Sequence, residues 1–247
     1  MRSGSFALTA GSLTGFTSLN QQLNAGGFAR QRSVETLAGD LVVDAGETVQ
    51  AGQVSLAASG GSLTLAGRID AQSARGGTVL LAARGDLTVA NGAEIDARAT
   101  AAGQGAGQVT VNSVDGNVSL QSGSRIRLDG YNGEAGSELL VRAGATADDL
   151  RIAEFGASVE GAVRTILSPV LRSDPVEFLD GLVTESLRSL LDAFMGVAPA
   201  NIRSRLGLGT DTLIRPALEI LADNDLTVAE GWDLATWRWE EQPGYLT

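Results

Sequence analysis

Residues 52–72 read GQVSLAASGGSLTLAGRIDAQ, residues 77–98 read GTVLLAARGDLTVANGAEIDAR, and residues 107–129 read GQVTVNSVDGNVSLQSGSRIRLD. The three are one pattern written three times, each with three short alternating runs divided by Gly, Ala, Ser or Asn. The first runs carry Val54 and Leu56, Val79 and Leu81, Val109 and Val111, and by extension Leu139 and Val141. The second runs carry Leu41 and Val43, Leu63 and Leu65, Leu87 and Val89, Val118 and Leu120, and Leu150 and Ile152. The third places one aliphatic residue per copy at Val49, Ile69, Ile95, Ile126 and Val159. Apolar positions two apart mark strands. Their recurrence every 25–30 residues or so marks a stacked solenoid.

A meandering antiparallel sheet would also give short alternating strands. Two features favour coils of three parallel strands: the apolar residues fall into columns by copy, and the third run is the shortest in every copy. Successive coils then lie about 4.8 Å apart, which the outward positions test. Those preceding the third-run residue are Thr48, Arg68, Glu94, Arg125 and Ser158, so Glu94 falls between Arg68 and Arg125, unlike charges facing across adjacent strands. Those preceding the second run are Asp40, Ser62, Asp86, Asn117 and Asp149, which keeps like charges two coils apart, about 9.6 Å rather than about 4.8 Å.

The composition suits such an interior. Glycine is abundant at 32 of 247 residues and aromatics make up only 4%, so small aliphatic residues must fill the core. Cysteine and histidine are absent, and all 18 basic residues are arginine, which removes disulfides, thiolate sites and the commonest metal ligand and general base. A net charge of −11 argues against a nucleic-acid partner. No run is long enough to span a bilayer and none resembles a signal-peptide core, so a secretion signal is expected to lie outside this chain. The glycines of residues 103–107 are not a phosphate loop, because no Gly-Lys-Ser/Thr follows.

Outside the repeat the pattern varies. Residues 1–33 read as an irregular lead-in with edge strands, SFALTAGSLTGF alternating and NQQLNAGGFARQR reading as a loop; coils are expected over residues 34–160. Residues 161–210 read as a helical insertion. Asp174-Pro175 offers a cap and first turn. Leu179, Leu182, Val183, Leu187, Leu190, Leu191 and Phe194 recur at helical spacing, and Gly196 is placed to end the helix; a shorter helix is expected between Gly161 and Leu171. The polar face of the long helix, with Glu185, Arg188 and Asp192, is not basic, which favours packing against neighbours over a membrane surface. Strand grammar resumes over residues 211–247 and stops in mid-pattern.

The repeated G-[DSNTQ]-[LV]-x-[LV] resembles the secreted passengers of bacterial two-partner secretion, the filamentous haemagglutinin family. A more specific stretch runs through Arg215, Pro216, Glu219 and Ile220, then Trp232, Asp233 and Leu234, then Pro243 and Gly244. It is similar to a motif of large members of that family, with Ala217 and Asn224 replacing usual glycines. The resemblance implies a right-handed parallel β-helix, an internal shaft segment of an adhesin, and export by an outer-membrane transporter partner to the cell surface or medium. It also implies adhesion to a glycan or protein of a host or neighbouring cell.

Parallel β-helices also carry polysaccharide-cleaving enzymes, which need paired carboxylates or acidic calcium ligands on one face. The candidates are Asp70 with Asp96 on adjacent coils, and Asp86 with Asp149. Arg68, Arg98 and Arg127 nearby favour ordinary compensated charges instead. Trp232, Trp237 and Trp239 form a candidate glycan-stacking strip, against the alternative of core packing. The sequence is therefore read as an all-β solenoid interrupted by a helical insertion, serving as a structural and adhesive segment without catalytic, cofactor or metal residues. A β-helical polysaccharide-active enzyme and the stalk of a contact-dependent toxin-delivery protein are the alternatives.

Overall fold

The computed structural model describes residues 3–103, 105, 107–134, 136–173, 182–220, 237–239, 242, 243, 245 and 246. The chain is all-β, a parallel β-helix with one long helix inserted between strands. It divides into two compact units, Met1–Val141 with Ile152–Thr165, and Arg142–Arg151 with Ile166–Thr247.

In the first unit the chain runs β1 (Ser5–Ala10), α1 (Phe16–Ala25), β2 (Gln31–Thr36), β3 (Leu41–Val43), β4 (Thr48–Gln50), β5 (Gln53–Ala58), β6 (Leu63–Leu65) and β7 (Arg68–Asp70). It continues through β8 (Thr78–Ala83), β9 (Leu87–Val89), β10 (Glu94–Asp96), β11 (Gln108–Ser113), β12 (Val118–Leu120), β13 (Arg125–Arg127), the first four residues of β14 (Glu138–Gly144), β15 (Ile152–Phe155) and β16 (Ser158–Glu160).

These strands pair in parallel one coil apart, as the columns require. Val54 lies against Val79 and Val79 against Val109, and likewise Leu56 against Leu81 and Leu81 against Val111. Leu41, Leu63, Leu87 and Val118 align, as do Val49, Ile69, Ile95, Ile126 and Val159. The antiparallel meander is therefore excluded for these coils. Inward residues such as Leu63, Leu87, Ile95 and Ile126 are fully buried, each contributing about 1.5–3 kcal/mol of transfer free energy. The last second-run register differs from the sequence expectation. Ile152 pairs with Val118, and a bulge then sets Phe155 against Leu120. Leu150 lies instead in an isolated antiparallel bridge to Ala145.

Glycine turns the corner between the third and first runs. A Cβ on Gly77 or Gly107 would stand 2.0 Å from the carbonyl oxygen of Ala71 or Ala97, so no side chain fits while the coils keep their spacing. At the second-run corner the outward column does more than separate charges. Asp40 Oδ1 accepts the amide N–H of Ser62, Ser62 Oγ accepts that of Asp86, and Asp86 Oδ1 accepts that of Asn117. Each side chain satisfies the backbone of the next coil.

The lead-in is more ordered than expected. Residues 16–25, some of which read as a loop, form α1, which buries Phe16, Asn20 and Leu23. Those positions share a helix face, a period easily missed in so short and polar a segment. α1 lies against β3 and β4, each the last strand of its sheet, with Asn20 and Asn24 donating to the carbonyl of Thr48. Beside it Arg32 takes the inward place aligned with Val54. It is 2% exposed, and it donates from Nε to the Phe28 carbonyl and from Nη1 to Asn20 Oδ1. α1 thus closes this end of the aliphatic column and solvates a buried guanidinium.

The second unit contains β17 (Arg164–Ser173) from Ile166 onward, α2 (Leu182–Leu206), β18 (Thr212–Ile214), β19 (Ala217–Ile220), β20 (Arg238–Trp239), β21 (Gln242–Pro243) and β22 (Tyr245–Leu246). The short helix expected between Gly161 and Leu171 is a strand. Pro169 disfavours helical backbone at Ser168, and Ile166 to Val170 are buried without a break, as in strands covered on both faces. The Asp174-Pro175 cap lies outside the described residues. Gly196 does not end α2, which continues past Pro199 to Leu206. Leu191, Phe194, Ala198 and Ile202 are buried at helical spacing across both breakers, so packing outweighs local propensity. Strands resume as expected, β19 pairing in parallel with β17 and β22, but β20 and β21 form an antiparallel pair. Among the described residues no helix is long and apolar enough to cross a membrane.

Candidate functional site

The outward face of β7, β10, β13 and β16 carries the densest charge of the first unit, and its centre is Asp96. The carboxylate is fully buried although the strand period points its neighbour Ile95 inward. Arg98 Nε and Nη2 grip it at 2.8 and 2.7 Å, Arg68 Nη2 donates at 3.0 Å, and Gln72 Nε2 donates at 2.9 Å. Burial alone would raise the carboxyl pKa. The hydrogen bonds and charge of Arg98, with Arg127 behind, outweigh it and hold Asp96 below the ordinary carboxylate range.

The ladder expected through Arg68, Glu94 and Arg125 exists in backbone register, but its side chains pair differently. Glu94 meets Arg68 at 3.0 Å and Arg127 at 3.8 Å, whereas Arg125 reaches on to Glu160 at 3.2 Å. A long side chain on a sheet can choose the diagonal neighbour, which column reading does not foresee. Asp70 does stand opposite Asp96. Asp96 draws its compensation from Arg98, Arg68 and Gln72, and among the described residues no cluster of three acidic side chains could hold a metal ion.

Two long corners overhang this charged face, and beneath them lies an open cleft of about 530 Å³. Gln72, Arg98, Arg127, Asp129, Tyr131 and Glu160 are among the residues that line it, as are Thr100 and Asn132. Tyr131 to Gly133 make one 3-10 turn, in which Asn132 takes φ 53° and ψ 33°. It is the one described non-glycine residue with positive φ, a conformation that Asn tolerates better than most. Glu134 N–H donates to the Tyr131 carbonyl, and Gly130 N–H to the Glu134 carbonyl, so the overhang is hydrogen-bonded to itself. Arg98 and Arg127 were foreseen as compensating charges. Gln72, Tyr131, Asn132 and Glu160 were not, and the available sign was the length of the 128–137 corner with its single aromatic residue.

The other candidates lie elsewhere. Asp86 belongs to the backbone ladder described above, and Asp149 lies in the second unit, held by Arg205 Nε and Nη2. Trp239 is half-buried, its indole N–H donating to Asp192 Oδ1 at 3.1 Å. Trp237 is also half-buried, and Trp232 lies outside the described residues. Of the motif residues, Arg215 is buried and its N–H donates to the Leu167 carbonyl. Pro216 follows it directly before β19. Glu219 accepts from Arg172, Ile220 pairs with Ser173, and Pro243 pairs with Arg238. Asp233, Leu234 and Gly244 lie outside the described residues. Compared with protein-family models, with curated proteins and with solved structures, the chain matches none.

Proposed function

We propose that this chain is a structural and adhesive segment of a large secreted bacterial surface protein of the filamentous haemagglutinin type, carried across the outer membrane by a transporter partner. What supports the reading most is the uniformity of the coils. Their aliphatic columns keep register from Val49 to Val159 and are sealed by corner glycines, an economy suited to spacing and display. The resemblance of the repeat and of the Arg215–Gly244 motif supplies the secretion route and the surface location. Antiserum against the purified chain, applied to intact source cells, tests it. The epitope should be exposed on the cells or shed to the medium, and should be lost from both when the transporter gene is deleted; an epitope confined to the cytoplasm overturns the reading.

One observation favours a second reading, a polysaccharide-cleaving enzyme: two carboxylates, Asp129 and Glu160, line the same cleft, as acid–base cleavage of a glycosidic bond requires. New reducing ends released from a polysaccharide by the wild type, and not by Asp129→Asn, would carry that reading over the first.

A further inference from the structure

We propose that the cleft lined by the corners carrying Arg98–Thr100 and Asp129–Gly133 is a binding site for a neutral oligosaccharide. The inference rests on the adhesive reading and names where on the chain, and to what chemistry, adhesion occurs. The cleft's volume of about 530 Å³ lies within the range of small-molecule sites, about 300–1,000 Å³. Its polar groups are pre-organised. Arg98 commits Nε and Nη2 to Asp96, which fixes its guanidinium in the wall of the cleft. Arg127 is fixed likewise by Nε to Glu160 Oε2 at 3.1 Å. Gln72 commits its amide nitrogen to Asp96 and leaves its carbonyl oxygen to accept. A guanidinium offers five donors in a rigid fork and a carboxylate only acceptors, so the lining interleaves donors with acceptors, as the alternating hydroxyls of a sugar demand.

Charge decides between neutral and acidic saccharides. Two arginines of the lining stand against two carboxylates, Asp129 and Glu160, in a chain of net charge −11. A uronate or sulfate would gain little from guanidiniums already paired with Asp96 and Glu160, and would be repelled by the Asp129 and Glu160 carboxylates. Tyr131 is half-buried on the overhang and supplies an amphipathic ring for an apolar sugar face. Asn132 beside it holds the uncommon left-handed backbone, a kind of strain that concentrates at ligand clamps. From Gln72 to Glu160 the lining crosses successive coils, roughly 14 Å at about 4.8 Å per coil, which seats a short linear chain along the coil axis.

Calorimetric titration of the whole chain with short neutral fragments of glucan, mannan and galactan, and with heparin and polygalacturonate fragments for comparison, tests the proposal. At least one neutral fragment should bind and the acidic ones should not. Tyr131→Ala should weaken that binding roughly tenfold, the equivalent of about 1.4 kcal/mol, with an unchanged thermal melt. Asn132→Gly keeps the backbone conformation and should also weaken it. Binding of acidic fragments alone, binding indifferent to both substitutions, or no binding of any fragment overturns the proposal. The two readings fail separately: no sugar binding with the epitope on the cell surface sinks the cleft alone, and sugar binding with a cytoplasmic epitope sinks the adhesive role alone.

Discussion

Asp96 shows at the scale of one residue how this β-helix spends its few charges. It is fully buried, while Arg98, Arg127 and Arg68 around it remain 29%, 25% and 37% exposed in their side chains. Removing a partner from a buried pair typically costs about 3–5 kcal/mol. The arginines left behind can rehydrate, so Asp96→Ala is expected at the low end, about 3 kcal/mol, read as a lower urea midpoint. Because the folded carboxyl titrates below its unfolded value, its contribution is present above the ordinary carboxylate range and lost as pH falls through the folded value. The wild-type midpoint should therefore fall on acidification below about pH 4, and less steeply in Asp96→Asn. In the sequence Asp96 reads like Asp70, one outward acid among several. Nothing local tells that its carboxylate turns under a canopy of guanidiniums, because that canopy comes from three separate coils.

At the scale of elements, corners and clamps matter more than strand propensity. Gly107 has no room for a Cβ beside Ala97, so Gly107→Ala must push neighbouring coils away from each other. It is expected to cost about 1–3 kcal/mol as overpacking does, whereas alanine at Gly11, which meets nothing within 4 Å, should cost little; paired urea unfolding curves check the contrast. In the second unit the end of α2 is held by Arg205 on Asp149 and on the Leu150 carbonyl, and by Asn201 on Asp148. Burial opposes ionisation of Asp149, but Arg205 and the Leu150 N–H outweigh it and lower its pKa, so this clamp also loosens in acid. Asp149→Asn should speed amide exchange in residues 198–206 at neutral pH while leaving the β-helix coils unchanged. Strand existence and register were legible because a two-residue period repeated in columns over-determines them. The ends of α2 and the identity of residues 161–171 were not, because Gly196, Pro169 and Pro199 act locally while the faces that bury Ile166 to Val170 and Ile202 are built elsewhere in the chain.

At the scale of the whole molecule, the two units rest on different physics. The first is a stack in which each coil meets only its neighbours, so its stability is close to a sum of coils and interfaces. That is why its fold could be read from residues 52–129 alone, and why the cleft could not: a site formed where irregular corners depart from the repeat is invisible to the repeat. The parallel hydrogen bonds joining β2 to β5, β8 and β11 run along the stack and not across it. Tension applied along the first unit therefore loads its interfaces in series, like links, and the weakest yields first while the others hold. Each coil peeled away would release roughly 80–100 Å of contour at about 3.4 Å per residue. A single-molecule pulling trace should be a sawtooth of near-equal steps rather than one rupture. A tether built this way lengthens stepwise under shear, dissipating load between its ends.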